Sequence, residues 1–205
     1  MTIEKNFFRQ VMGHFATGVT VVTTSYKGVS GGLTVNAFCS VSLDPPLVLV
    51  CVDLTSTTLP LIRESGIFAV NMLTEQQEHL SRCFATPNRE RAESFCHCAY
   101  YTVATGAPVL TDVLAFVDAR IVAEYPGGDH VIFLGQVEAL GVEGKVLFAN
   151  EEEKEHYLQA GHNGHTAVKN ESPLTYYRGQ YRRLTDHYRA PSLATPTTQH
   201  KDKDA

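Results

Sequence analysis

The chain has 205 residues, 43% of them hydrophobic and 19% charged, with a formal net charge of -5. That size and balance suit one well-cored domain of a soluble protein, with room for a tail. The acidic balance, relieved only by the small cluster Arg178, Arg182 and Arg183, argues against a nucleic-acid partner, and no apolar run nears the ~20 residues that cross a bilayer, so no membrane partner is expected.

Apolar groups at Ile3, Phe7, Phe8, Val11, Met12 and Phe15 predict an amphipathic helix over residues 3–15, broken by Ala16-Thr17-Gly18. This opening lacks the basic-then-apolar order of a secretory leader, so a cytoplasmic location is expected. The β-branched run 19–24 predicts a strand, turned by Tyr26-Lys27-Gly28 into a second at 29–35. A short edge strand at 41–43 closes at Asp44-Pro45-Pro46, and 47–52 reads as a central strand. Thr57 or a neighbour is expected to cap a helix that carries Pro60 in its first turn and stops at Gly66. Residues 67–73 follow as a strand, and Thr74 with Gln77 forms a capping box for a helix through about Phe84.

Residues 85–111 read as mostly irregular. Val117, Ala119, Ile121 and Ala123 alternate with Asp118, Arg120, Val122 and Glu124, the period of a half-buried strand. Pro126-Gly127-Gly128-Asp129 turns it into a returning strand at 130–142. A short acidic helix at 149–159, a loop at 161–172 and a last strand at 175–184 complete the domain, 1–185. Residues 186–205 are polar with scattered prolines and are expected to form a disordered tail.

Six or more antiparallel strands with a few peripheral helices predict a mainly β fold, closed or partly open as a barrel so that strand edges are hidden. No Gly-x-Gly-x-x-Gly opens a helix after a strand, so a doubly wound nucleotide fold is a poor fit. The cysteines are Cys39, Cys51, Cys83, Cys96 and Cys98. Their odd number and lack of framework spacing favour free thiols in a reducing cytosol. Cys96-His97-Cys98 offers metal-ligand types, yet tetrahedral zinc needs four ligands and no second cluster accompanies it, so no metal is expected.

Two places carry chemistry. Thr34, Asn36, Ala37 and Ser40 are small or polar and join two strands. They suit either an ordinary turn or a slot whose backbone groups meet the edge of a planar ring. Thr55, Ser56, Thr57 and Thr58 precede a predicted helix, where amides, hydroxyls and the helix dipole favour an anion; simple capping explains one of the four. Arg82 offers a charge-assisted contact to the same anion, or is a solvated arginine. Glu151-Glu152-Glu153 reads as a helix-surface charge run.

The chain resembles the short-chain flavin reductases. The resemblance is carried by residues 15–24, 33–53 and 56–61, by Ser65-Gly66-Ile67-Phe68-Ala69-Val70-Asn71-Met72-Leu73, by Leu80-Ser81-Arg82-Cys83-Phe84, by Gly128-Asp129-His130 and by Tyr176-Tyr177-Arg178-Gly179-Gln180-Tyr181. It implies an antiparallel Greek-key split β-barrel, a homodimer, and FMN or FAD near the subunit interface. Thr34, Val35, Asn36 and Ala37 would line the flavin ring. Ser40 and the run Thr55–Thr58 would reach its ribityl-phosphate, with Arg82 at the phosphate end. Asp53, Phe84, Tyr177 and Arg178 fall in matched segments and are carried over as cofactor-binding. His130, in the Gly-Asp-His turn, would help place NADH or NADPH; its alternative is a histidine bonded to its own turn.

The implied activity is NAD(P)H:flavin oxidoreduction that supplies reduced flavin to a separate monooxygenase. The alternatives are a flavoprotein electron carrier and a non-catalytic flavin-binding protein of the same fold. The chain departs from the family pattern at residues 96–101, in having no tryptophan, and in a long segment 144–173 that carries His162 and His165.

Overall fold

The structure is a computed structural model that describes residues 3–86, 95–159 and 171–184. The expected tail at 186–205, most of the loop at 161–172, and the His162/His165 pair lie outside the described residues. α1 (Lys5–Met12) opens the chain, its first turn capped by Glu4, whose carboxylate accepts from the amides of Asn6 and Phe7 at 2.8 Å each. None of its residues is buried, and Phe7, Phe8, Val11 and Met12 stand exposed.

The main sheet is antiparallel throughout. It is built from β2 (Thr20–Tyr26), β3 (Val29–Val35), β4 (Phe38–Leu43), β5 (Pro46–Asp53), β6 (Ile67–Met72), β9 (Ala115–Gly127) and β10 (His130–Val142) in the order β3-β2-β6-β9-β10-β5-β4. β11 (Lys145–Phe148) pairs with the far end of β10. β5 shows why the sheet curls into a barrel. Val48, Val50 and Val52 are buried while their neighbours are at least partly exposed, so one pleat face turns inward. Val22, Phe68, Val117, Val131 and Phe133 meet them in the barrel interior, and Leu59 and Ile62 of α2 (Leu59–Ser65) close one end. The long β9–β10 pair carries irregularities at Leu134/Gly135 and Val137/Ala139, the kind of insertion that bends strands around a barrel. A Cβ at Gly135 would stand 2.5 Å from the Phe68 ring, so only glycine lets Phe68 cross there.

A second core lies on the outer face of β2 and β6. Val21, Ala69, Phe116 and Leu174 pack there with Leu80 and Phe84 of α3 (Glu78–Ala85), and with Val109 and Leu110 of β8 (Pro108–Leu110). β2 is therefore buried on both faces, which explains a β-branched run without polar alternation. Polar groups trapped between the layers are paired. The Asn71 amide donates to Val21 O and Thr23 Oγ1 and accepts from the Leu110 amide, while the Thr23 hydroxyl donates to Pro108 O. Asp118 is likewise fully buried and accepts from the Ala104 and Thr105 amides and the Thr105 hydroxyl.

Gly66 ends α2 with φ of 67°, a left-handed cap that glycine adopts without strain, and the Thr74–Gln77 capping box is present, opening a short 3-10 turn into α3. Other expectations need revision. β4 begins at Phe38, ahead of the expected 41–43. The segment read as irregular contains β7 (Tyr100–Thr102) paired with β8, strands too short to show a period. The final strand is a hairpin, β12 (Thr175–Tyr177) and β13 (Gln180–Arg182), whose turn residues Arg178 and Gly179 have φ of 51° and 76°. β12 pairs with β1 (Thr17–Gly18), which was expected only as a helix breaker. α4 (Glu151–Gln159) is the acidic helix.

The cysteine expectation is corrected outright. Cys83 and Cys96 form a disulfide with 6.1 Å between Cα atoms, leaving Cys39, Cys51 and Cys98 free. The pairing is tertiary, joining α3 to the 3-10 turn Phe95–His97, and sequence spacing holds no sign of it. It also removes Cys96 as a metal ligand. Among the described residues no helix is long and apolar enough to cross a membrane.

Candidate cofactor site

Three links between strands converge at one end of the barrel. β3 passes to β4 through Asn36 and Ala37, both exposed, and Ala37 O accepts from the Cys51 amide at 3.0 Å, which pins this crossover to β5. β5 ends at Asp53, whose carboxylate accepts from the Thr55 hydroxyl and amide at 2.7 Å each. Those bonds, with a smaller contribution from His130, hold the Asp53 carboxyl below the ordinary aspartate range. The third link is the β9–β10 turn. Leu54 N donates to Asp129 O at 3.0 Å, and His130 is the cross-strand partner of Asp53. Residues as distant in the chain as Asn36 and His130 thus stand on a single edge with Asp53 and Thr55.

His130 sits 2.7 Å through Nδ1 from Asp129 Oδ1, and its side chain is 40% exposed. The histidine bond holds the Asp129 carboxyl below its usual range, so that carboxylate accepts only and Nδ1 carries the proton. This orients the ring through Nδ1, so any ligand contact would fall to Nε2. The contact to its own turn is present, and it orients the ring rather than burying it.

In the hydroxyl run the four residues part company. Thr55 serves the Asp53 turn. Ser56 is half-buried, with its hydroxyl 3.3 Å from the Thr58 amide, and Thr57 is exposed. Thr58 is 4% exposed and donates to Gly32 O at 3.1 Å. At the helix N-cap position its own side chain makes no cap bond, and it is the Ser56 hydroxyl that accepts from its amide. A cleft of about 240 Å³ opens here, lined by Gly31, Gly32, Thr57, Thr58, Phe84 and Phe95 among others. The glycines let the walls approach: a Cβ would meet the Leu61 side chain at 2.8 Å from Gly31 and the Phe84 ring at 2.8 Å from Gly32. Two successive glycines inside a strand were the unread signal for this close approach.

The other expected residues are distributed as follows. Val35 is buried, with its carbonyl taken by the Thr20 hydroxyl, so it offers a ligand backbone at most. Ser40 is exposed on β4 opposite Val48. Thr34 donates to Ser81 O at 2.6 Å, and Ser81 Oγ lies 2.7 Å from Tyr181 Oη. Ser81 and Tyr181, absent from the expected set, therefore anchor the Thr34 side chain. Arg82 extends from the same helix into solvent, paired with Glu78 at 2.6 Å and stacked 4.8 Å over the Tyr181 ring. Phe84 is 1% exposed, a member of the second core that reaches the cleft only as part of its wall. Tyr177 and Arg178 take a different neighbourhood at the end of α1, where Arg178 N donates to Gly13 O at 2.7 Å and Tyr177 meets His14 edge-on.

Backbone edges, hydroxyls and small residues are the donor set a flavin needs, and the site fits one in kind. At about 240 Å³ the cleft is smaller than the ~300–1,000 Å³ usual for small-molecule sites.

The flavin reductase like domain matches residues 12–185, and the chain belongs to that family. Similar proteins include the HsaB reductase subunit of a flavin-dependent monooxygenase from Rhodococcus jostii (strain RHA1), 35% identical over 87% of this chain and 77% of that one. The NADH-dependent FMN reductase AsuE2 of Streptomyces nodosus subsp. asukaensis is 37% identical over 87% and 84% of the two chains. Among solved structures, the nitrilotriacetate monooxygenase component B homologue from Mycobacterium thermoresistibile superposes with a TM-score of 0.74 at 29% identity, covering 97% of this chain and 96% of that one. The NADH:FAD oxidoreductase SgcE6 of Streptomyces globisporus, in complex with NAD and FAD fragments, gives 0.72 at 30% identity over 90% and 94%. The barrel is the antiparallel split barrel of these reductases.

Proposed function

We propose that this chain is an NAD(P)H:flavin oxidoreductase that reduces FMN or FAD and releases it to a separate flavin-dependent monooxygenase. The supporting observation is the clamped edge on which Asn36–Ala37, the Ser56–Thr57 hydroxyls and His130 stand together, in a member of the flavin reductase family. When bound, the flavin supplies the redox chemistry by accepting a hydride from the reduced nicotinamide. The chain's own groups bind and orient. Main chain at Asn36 and Ala37 meets the ring edge, the Ser56 and Thr57 hydroxyls hold the phosphate, and His130 Nε2 positions the nicotinamide partner. No acid–base pair is required, because the gain comes from proximity and alignment.

The exposure of Asn36, Ala37 and Ser40 favours a flavin that exchanges over one held permanently. We assign a homodimer on two grounds: the small cleft, and the apolar face of α1, where Phe7 is 61% and Phe8 56% exposed. A cytoplasmic location follows from the proposed role. The deciding experiment mixes the protein with NADH or NADPH and excess free FMN or FAD, and follows nicotinamide absorbance. Many turnovers per chain are expected, whereas flavin retained through gel filtration without nicotinamide oxidation would establish a carrier or binder instead.

A further inference from the structure

Phe84 and Phe95, which wall the cleft beside Thr57 and Thr58, are each the chain neighbour of a bridged cysteine. The Cys83–Cys96 bond ties the last turn of α3 to the turn Phe95–His97. Next to it the two rings meet edge to face with centroids 5.3 Å apart, and Phe95 stacks on toward Tyr100 at 5.1 Å. Phe95, Cys96 and His97 hold φ of 46°, 56° and 52°, a region crowded for any residue with a Cβ. Such a turn persists only where its surroundings over-determine it, and here the bridge and the ring packing do so. A separate cavity of about 390 Å³ is lined by Cys96, His97 and Cys98 together with His79 and Asp112, which gives small reagents a route to the bridge. The third thiol does not compete. Cys98 donates to Phe95 O at 3.0 Å, and burial pushes it up to about 11, so it stays protonated.

We propose that Cys83 and Cys96 are a reversible thiol–disulfide pair whose state sets the flavin affinity of the adjoining cleft, the disulfide form binding more tightly. This rests on the placement of the flavin phosphate at Ser56 and Thr57 given above. Closure is a two-electron oxidation by hydrogen peroxide, which forms when released reduced flavin meets dioxygen. The thiolate of one cysteine attacks a peroxide oxygen and expels hydroxide, giving a sulfenic acid. The second thiol then attacks that sulfur, the S–S bond forms and water leaves. In sum, two thiols and one peroxide yield the disulfide and two waters. Opening consumes a dithiol of the thioredoxin class, which becomes a disulfide as both cysteines regain hydrogen. With the bridge closed, Phe95 is held against Phe84 and the cleft wall is preorganised. With it open, the crowded turn relaxes and the wall must be ordered anew on each binding event. Peroxide from wasted turnover would thereby raise the flavin affinity of the enzyme that produced it.

The test uses the full chain, poised with excess dithiothreitol or with hydrogen peroxide. Alkylation and mass measurement count the thiols at Cys83 and Cys96, and FMN binding to the same samples is followed by fluorescence quenching, then flavin KM and kcat by turnover. The oxidised protein is expected to bind FMN about fivefold more tightly, moving KM while kcat holds. Cys83→Ser/Cys96→Ser is expected to show the weaker value in both buffers. Equal FMN affinity in two states verified by mass, or two alkylatable thiols after peroxide, overturns the proposal. Neither result depends on the variant folding. Ser56→Ala/Thr57→Ala reports on the placement of the flavin separately: FMN affinity unchanged in that variant counts against the placement, while a redox-indifferent wild type counts against the switch.

Discussion

The amide of Leu54 donates to the carbonyl of Asp129 at 3.0 Å, joining the link that begins the hydroxyl run to the turn that presents His130. The hydroxyl run, proposed to hold the phosphate, and His130, proposed to place the nicotinamide, therefore share one edge, reinforced by the Asp53–His130 strand pairing. A shift of either loop carries the other with it, so substitutions that remove a side chain without touching this bond separate the two roles.

His130→Ala is such a substitution. It removes the ring that Asp129 orients and leaves the backbone pairing intact. The KM for NADH is expected to rise roughly three- to tenfold, the worth of about one hydrogen bond, with FMN affinity changed less than about twofold. Steady-state kinetics alongside flavin titration checks this, and equal loss of both would remove the assigned role.

Ser56→Ala combined with Thr57→Ala should weaken FMN about tenfold or more, since bonds to a charged group are each worth ~1.5–3 kcal/mol, and should spare riboflavin, which has no phosphate. Thr58 is left out because its hydroxyl supports Gly32 from inside the core. Parallel titrations with the two flavins decide the matter.

Asp118 makes stability depend on pH. Burial, opposed by the Thr105 and Ala104 bonds and aided by the nearby Glu153 charge, raises its carboxyl to about 6. A carboxyl that holds its proton more tightly when folded stabilises the fold at low pH, and this contribution is lost as pH rises from about 4 through about 6. The change is at most about 3 kcal/mol. Urea unfolding of wild type and Asp118→Asn across that window should show the wild-type advantage shrinking with rising pH. A constant difference would rule it out.

Gly32→Ala should destabilise by about 1–3 kcal/mol, the usual cost of overpacking, because its Cβ would press on the Phe84 ring at 2.8 Å. Denaturant midpoints measure it. FMN affinity is expected to fall as well, since Phe84 walls the cleft.

Phe8→Glu with Val11→Glu places charge on the exposed apolar face of α1. The proposed dimer is expected to give way to monomer in sedimentation equilibrium while the barrel stays folded, because no residue of α1 is buried within its own chain.

Much of the barrel was legible because its strands are long and patterned. The turn at Lys27-Gly28, the β10 span from His130 to Val142 and the Gly66 cap follow directly from residue type. The three-residue strands β7, β8, β12 and β13 were not legible, since a period needs more length than they have. At the site, the residues of Asn36–Ala37 and the hydroxyl run stand out by chemistry, but how the run divides does not. Thr58 and Phe84 turn inward for reasons set by Gly32, a partner about 26 and 52 positions away. The Cys83–Cys96 bridge depends on the same kind of distant packing.

The buried amide of Asn71 gives the outer layer its address. Val21 O, Thr23 Oγ1 and the Leu110 amide all close on this one side chain, and Pro108 O is claimed by Thr23. Sliding β8 by a single residue would strand several of these groups without water or partner. The segment leading from Cys96 to β8 is thus tethered at its far end, and any rearrangement on breaking the bridge must be taken up upstream, around Phe95, in the wall of the cleft.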